Sequence, residues 1–292
     1  MEPKDGGPIT VTRALTPQKG GFLASGFTHT LNPYVGCAFG RVGCPFCYVR
    51  ESPVGRFGPA AWGTWVQQKA HIAEVLEQEL RKPAARHYRV FMASATDPYQ
   101  PAEASACLTQ RCLRVLHSYP IDWLVVQTRS LLVQRDFDLL AGLSFATLNV
   151  SIETDLLEVH RRFTRSSAAP ERRLSLVRMA LTRGIFTQVT ASPLLPSSPT
   201  FAETLAQTVG EKGRVIVDTF LDGDGSGGQR SARLGMDALL ADAGFAGWFA
   251  RCREHAQELR QRLLSLLGPE RVLWSAEGFS MKPGVVGTSL TG

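Results

Sequence analysis

An α/β fold, specifically an incomplete (β/α)6 TIM-like barrel, is what this 292-residue sequence predicts, and three observations predict it. Apolar runs of strand length alternate with amphipathic runs of helix length along nearly the whole chain, joined by short connections. That order implies a parallel sheet with right-handed crossovers. The polar residues of chemical interest follow the strands: a cysteine loop after the first, Ser94, Thr96 and Asp97 after the second, Arg129 after the third. Ser151 and Glu153 come at the end of the fourth, and Thr190 and Ser192 at the fifth. Parallel barrels carry their chemistry at these strand ends. Finally, 44% hydrophobic residues over this length suffice for the core of one such barrel.

Taken in order, residues 1–27 are rich in Gly, Pro and Thr and lack periodicity, so an extended N-terminal arm is expected there. Residues 28–220 form the expected core barrel, and 221–292 a C-terminal loop and helix packing on it. A strand over 28–34 runs into the stretch Leu31 to Glu51, LNPYVGCAFGRVGCPFCYVRE, in which Cys37, Cys44 and Cys47 are spaced C-x6-C-x2-C. Gly36, Gly40 and Gly43 give that loop the backbone freedom needed to wrap a metal centre. A Gly/Pro/aromatic segment through Trp65 is placed to cover it. Ile72, Val75, Leu76 and Leu80 recur at helical spacing, predicting a helix over 67–82 that Pro83 ends. Strands then follow at 88–94, 123–128, 147–152, 185–190 and 214–220, separated by helices at 103–119, 133–143, 170–183 and 200–211. Residues 221–228 are so rich in Gly and Asp that they read as a mobile loop. A helix over 247–267, packing on the barrel exterior, and a short strand over 272–274 complete the pattern.

The formal charge of +6 and pI of about 9.2 are compatible with a polyanionic partner. Arginine greatly outnumbers lysine in a chain also rich in Ala, Leu and Gly, and this compositional bias discounts the charge as evidence. MEPKDGGP does not resemble a signal peptide, and no apolar run reaches membrane-spanning length, so a cytoplasmic protein without membrane contact is expected. Six cysteines in a reducing compartment argue against a disulfide framework. Cys107, Cys112 and Cys252 make no C-x-x-C pair and read as small buried hydrophobes.

Three thiolates in one loop satisfy three positions of a metal centre and leave one open, as a catalytic centre requires. The alternative is a closed Cys3His zinc site completed by His29, which would make the chain a zinc-stabilised, non-enzymatic binding module. Asp97, before Pro98, reads equally as a turn cap. Ser151 and Glu153 share strand parity, so both can face inward, and Arg129 can pair with Asp136 or Asp138. Between 161 and 178, Arg161, Arg162, Arg165, Arg172, Arg173 and Arg178 stand against the single acid Glu171. They form either a solvated helix face or a grip for the phosphates of a nucleic-acid or nucleotide substrate beside the barrel mouth.

Several blocks together, NPYVGC…CPFCY, SATDPYQPAE, TRSLLVQRDFDLL, SIETD, RRLSLVRMALTRGI and SPLLP, resemble the radical S-adenosylmethionine (SAM) superfamily. Within it they resemble the branch of spore photoproduct lyase and its uncharacterised relatives, over roughly residues 28–220. The usual C-x3-C-x2-C spacing is widened here by three residues in the first gap. The resemblance implies a radical SAM enzyme with a 4Fe–4S cluster on Cys37, Cys44 and Cys47. Its fourth iron would bind SAM, whose reductive cleavage yields a 5′-deoxyadenosyl radical for hydrogen abstraction. It implies SAM contacts as well: the amino group at the edge formed by Ala93, Ser94, Ala95 and Thr96, and the carboxylate on Arg129. Ser151 and Glu153 would take the ribose, and Tyr48 the adenine, with Thr190 to Leu195 on the far side. A reducing partner such as flavodoxin or ferredoxin is implied too. The hydrogen-donating cysteine of true spore photoproduct lyases falls at Ala95, and Phe46 replaces the tyrosine before the third cluster cysteine. The expectation is therefore not thymine-dimer repair but radical modification of another substrate, either nucleic acid or a peptide or small molecule.

Overall fold

The computed structural model describes residues 4–39 and 43–283; Gly40 lies outside that range. Its strands are β1 (Lys4–Ile9), β2 (Leu15–Pro17), β3 (His29–Leu31), β4 (Tyr34–Cys37), β5 (Trp65–Lys69), β6 (Arg89–Met92), β7 (Trp123–Thr128), β8 (Ala146–Ser151), β9 (Thr187–Ala191), β10 (Arg214–Val217) and β11 (Val272–Trp274). The main sheet runs β11-β10-β9-β8-β7-β6-β3-β2, parallel throughout except for β2 against β3. Its end strands β2 and β11 do not pair, so the barrel is incomplete, as expected. A second sheet, β1-β5-β4, carries the first cysteine at the end of β4.

Alternation along the strands builds two cores. In β8, Leu148 and Val150 join the main cluster with Leu113, Leu116 and Leu176 of the covering helices. Thr147, Asn149 and Ser151 take the opposite parity, towards the barrel interior, and all six residues of the strand are buried. Inside the barrel the layers change character with height. At the foot, Phe27, Phe91, Trp123, Val125, Ile216, Leu273 and Phe279 form an apolar plug. Above them the amides of Gln127, Asn149 and Gln188 lie in register across β7, β8 and β9, with Gln188 Nε2 donating to Asn149 Oδ1 at 2.9 Å. The helix Ser275–Ser280 closes the foot between the two edges of the sheet. Ser25 and Ser280 share a hydrogen bond of 2.9 Å, Phe22 packs edge-on to Phe279, and Lys282 pairs with Asp122 at 2.6 Å.

Strand order and the parallel core follow the sequence reading, but several elements differ. The arm before residue 28 contains β1 and β2 rather than simple extended chain. The helix expected from residue 67 starts at Ile72, because 65–69 pair with both β1 and β4 as a strand. The helix over 103–119 breaks at Cys107, whose φ of 52° is left-handed. Residues 131–141 are a 3-10 turn followed by a short helix. The arginine-rich link holds a helix, Leu157–Phe163. Most altered is the supposed loop after β10. The Thr219 hydroxyl caps a helix, Phe220–Gly223, and the Asp224 carboxylate then accepts hydrogen bonds from the backbone of Ser226, Gly228 and Ser231. Helices Gln229–Arg233 and Met236–Asp242 follow from that anchor. The Cys252–Leu267 helix packs outside the barrel beside Phe201–Val209, burying Ala256 and Leu263. Among the described residues, no helix is long and apolar enough to cross a membrane.

Candidate functional site

The three cysteines open on one cavity at the C-terminal ends of the strands, with about 910 Å³ of space free of protein atoms, its open mouth included. Cys37 ends β4. Cys44 and Cys47 bracket a turn in which Cys47 N donates to Cys44 O at 3.0 Å, and Cys47 precedes the 3-10 turn Tyr48–Glu51. Gly36 is indispensable here: its φ is +86°, and a Cβ would lie 2.5 Å from the Trp65 ring. Gly36→Ala is therefore expected to cost about 1–3 kcal/mol in a urea melt and to reduce iron uptake during reconstitution; an unchanged melt would show that the backbone relaxes there. The same β4 end is held from the other side by Thr96, which donates to Gly36 O at 2.5 Å, and by Gln100, whose Oε1 accepts from Ala38 N at 3.0 Å. Burial pushes the Cys37 thiol up to about 12 and the Cys44 thiol up to about 11, the nearby Arg129 opposing the second shift. A metal centre bound here must displace those protons.

The opposite wall is the edge after β6. Ala93 sits at φ 84°, a left-handed conformation rare for alanine and stored where the chain meets the cavity. Asn32 bridges this edge, donating to Ser94 Oγ at 3.2 Å and accepting from Ala95 N at 3.1 Å. Tyr48 closes it by donating to Ser94 O at 2.8 Å. Asp97 is both cap and cavity wall: it accepts from Tyr99 N, from the Thr128 hydroxyl and from Arg129 N.

Arg129 projects from the end of β7 towards the cysteines. Its Nη1 lies 2.7 Å from Cys44 Sγ, its Nη2 lies 3.2 Å from Glu153 Oε1, and its guanidinium sits 5.9 Å over the Phe46 ring. Asp136 and Asp138 instead pair with Arg135 and Arg183. Glu153 is fully buried between Arg129 and Arg173, whose Nη1 is 2.7 Å from Glu153 Oε2 and also reaches Ser151 O. The two guanidinium groups outweigh burial and hold the carboxyl below its usual range. This corrects two expectations: Glu153 does not line the cavity, and Arg173, with no exposed side-chain area, belongs to no solvent-facing basic run.

Of the expected SAM contacts, Tyr48, Ser94, Ala95, Thr96, Arg129 and Ser151 line the cavity. Thr190 and Leu195 do not. The Thr190 hydroxyl bonds Ser151 Oγ at 3.3 Å from below, and Leu195 packs with Phe46, Phe163 and Phe220. Within the stretch Thr190 to Leu195 expected on the far wall, Ser192 and Pro193 reach the cavity. Trp62, from the segment expected to cover the site, lines it too, while sequence reasoning missed Gln127, Thr219, Asp224 and Ser231. Gln127 was signalled by its parity with Trp123 and Val125 in WLVVQT; the others come from segments whose folding the sequence hid.

Asp218, just past β10, lies under this wall. Its Oδ2 accepts from Ser192 Oγ and its Oδ1 from Thr219 N, and Gly223 leaves room for it where any Cβ would collide. Burial raises it to about 6 from an ordinary 3.8. The folded protein therefore keeps a proton that the unfolded chain releases between those values, so stability falls as pH rises from about 4 to about 6 and is flat above. The loss is of order 3 kcal/mol. Asp218→Asn is expected to flatten the difference between urea melts at pH 4 and pH 7; an undiminished difference would place the titration elsewhere.

His29 does not join the cysteines. It starts β3 at the foot, with its ring 4.1 Å from that of Tyr88 and its Nδ1 sharing a hydrogen with the Thr28 hydroxyl. Among the described residues, no three His, Cys, Asp or Glu side chains converge as ligands of a single ion. A cubane cluster is wider than an ion, so its three thiolates line a wall rather than meet at a point.

The family model described as Radical SAM superfamily matches residues 31–201. An uncharacterised protein of Mycobacterium tuberculosis is 30% identical over 190 residues, covering 63% of this chain and 55% of that protein. An uncharacterised protein of Methanocaldococcus jannaschii is 25% identical over 171 residues, covering 59% of this chain and 62% of that one. The chain thus spans somewhat more than half the length of these curated relatives. Among solved structures, a spore photoproduct lyase variant with AdoMet and a dinucleoside spore photoproduct bound superposes with a TM-score of 0.59. The match is 12% identical and covers 92% of this chain and 80% of that one, a likeness of fold.

Proposed function

This chain belongs to the radical SAM superfamily, whose members use a 4Fe–4S cluster and SAM, and from that premise we propose that Cys37, Cys44 and Cys47 hold the cluster, with SAM in the cavity before it. The observation that carries the reading is the cavity itself. Three thiols and a strained, pre-ordered strand edge face one space. When bound, cluster and SAM supply one-electron cleavage of a carbon–sulfur bond and hence abstraction of a hydrogen atom. The protein's part is to position and to shield. The edge at Ser94, Ala95 and Thr96, fixed by Asn32 and Tyr48, offers backbone polar groups to the SAM amino group. Ser151 suits the ribose, and Ser192, within the stretch Thr190 to Leu195, suits the far wall. Phe39, Phe46, Trp62 and Phe220 keep water from the rest of the space. Anaerobically reconstituted protein given SAM and dithionite should produce 5′-deoxyadenosine; a colourless protein that makes none would sink the reading.

A nucleic-acid substrate is favoured by one observation. The helix Leu157–Phe163 packs through Phe163 on the same cluster as Phe46 and Phe220, leaving Arg161 and Arg162 exposed, with Arg165 and Arg172 beyond it. Reversing the charge of Arg161 and Arg162 should weaken oligonucleotide binding and flatten its salt dependence; unaltered binding would leave a peptide or small molecule as the substrate.

A further inference from the structure

We propose that Arg129 sets the reduction potential of the centre on the three cysteines by donating a hydrogen bond, with its full charge, to the Cys44 sulfur. The inference rests on the cluster reading above and adds a role the carboxylate assignment did not contain. Two of the three guanidinium nitrogens are already engaged, Nη1 with Cys44 Sγ at 2.7 Å and Nη2 with Glu153 Oε1 at 3.2 Å. Three of the five guanidinium N–H groups remain for a carboxylate, so the contact with Cys44 adds to the grip the sequence suggested rather than replacing it.

The arrangement is braced from behind. Glu153 has no exposed side-chain area and is shared with Arg173, which is equally buried. If Arg129 swung into the cavity, Glu153 would keep only one of its two cations. Asp97 Oδ2 accepts the Arg129 backbone N–H at 2.9 Å, fixing the base of the side chain, and Phe46 lies beneath the guanidinium. A cation donating to a ligand sulfur stabilises the state with more negative charge on that sulfur, which is the reduced one. The potential rises accordingly. Glu153 and Arg173 act through Arg129 and are positioning residues.

The test is a redox titration, followed by electron paramagnetic resonance, of reconstituted wild type, Arg129→Lys and Arg129→Gln, each with iron and sulfide measured. Arg129→Gln is expected to shift the one-electron equilibrium about tenfold towards the oxidised form, about 59 mV lower. Arg129→Lys keeps the charge but cannot span Cys44 and Glu153 together, so it should fall between. Fully loaded variants with the wild-type potential would overturn the proposal while leaving the cluster reading intact. Wild type that takes up no iron would overturn both. Should the variants fail to load, wild type labelled with nitrogen-15 arginine decides the matter. Its reduced cluster should show a weak hyperfine coupling to the label, and the absence of that coupling refutes the contact.

Discussion

Cys44→Ala, Cys37→Ala and Cys47→Ala are each expected to leave a protein without the absorbance near 400 nm, and to cut 5′-deoxyadenosine formation to background. The fall should exceed about a hundredfold, since outer-shell changes at metal sites already cost 10–100-fold. The magnitude follows from the want of a substitute. Cys112 is buried in the main core between helix and sheet, and Cys252 lies under Phe220 in the apolar cluster. His29 stands at the foot of the barrel, by Tyr88. Cys107 sits at the helix break, 3.6 Å from Arg135 Nη1, and none of the four lines the cavity where the three thiols sit. Iron and acid-labile sulfide analysis with a deoxyadenosine assay checks this, and an alanine variant retaining both would remove the cysteine loop from the centre.

The second large effect is on stability. Arg173→Met is expected to lower the unfolding free energy by about 3–5 kcal/mol, because it strips a fully buried carboxylate of one of its two cations. The Ser151 carbonyl and the Ala168 carbonyl lose their guanidinium donor in the same change. Adding Glu153→Gln should recover part of the loss, and the shortfall from additivity measures the coupling. Urea melts of the four proteins suffice. A mild single effect with full additivity would mean that water reaches Glu153.

Why Arg173 was hidden is instructive. In the sequence it is one arginine among six between 161 and 178, and nothing local separates it from Arg172. What separates them is helix phase: Arg172 faces out, while Arg173 faces the β8 end and meets an acid 20 residues earlier. Such pairings depend on where two elements pack, which periodicity cannot state. Conversely, β7 and β11 were legible to the residue, because apolar runs bounded by turn signals at both ends leave no choice of register. The cysteine loop and the edge at Ser94 were legible for a similar reason, since each lies at or just past a strand end, and Asp97 was legible from its place before Pro98. Of the stretch Thr190 to Leu195, the end residues stay out of the cavity because the chain turns at Ser192–Pro193. Only residues at that turn reach the cavity, while Thr190 remains one layer down. Residues 219–231 misled through composition. Gly and Asp there do not loosen the backbone, since Asp224 captures the surrounding amides and converts the segment into the far wall of the cavity.

The foot of the barrel has a consequence for the order of folding. Its closing contacts join residues 22–28 to residues 272–282, and the Ser25–Ser280 bond spans 255 positions. Everything that shapes the cysteine wall is synthesised before the helix that seals the opposite end. A nascent chain must therefore carry its aromatic plug uncovered until Phe279 has left the ribosome, and long-range closures of this kind are slow. Iron delivered before that moment would meet a vessel with its lip formed and its base still open.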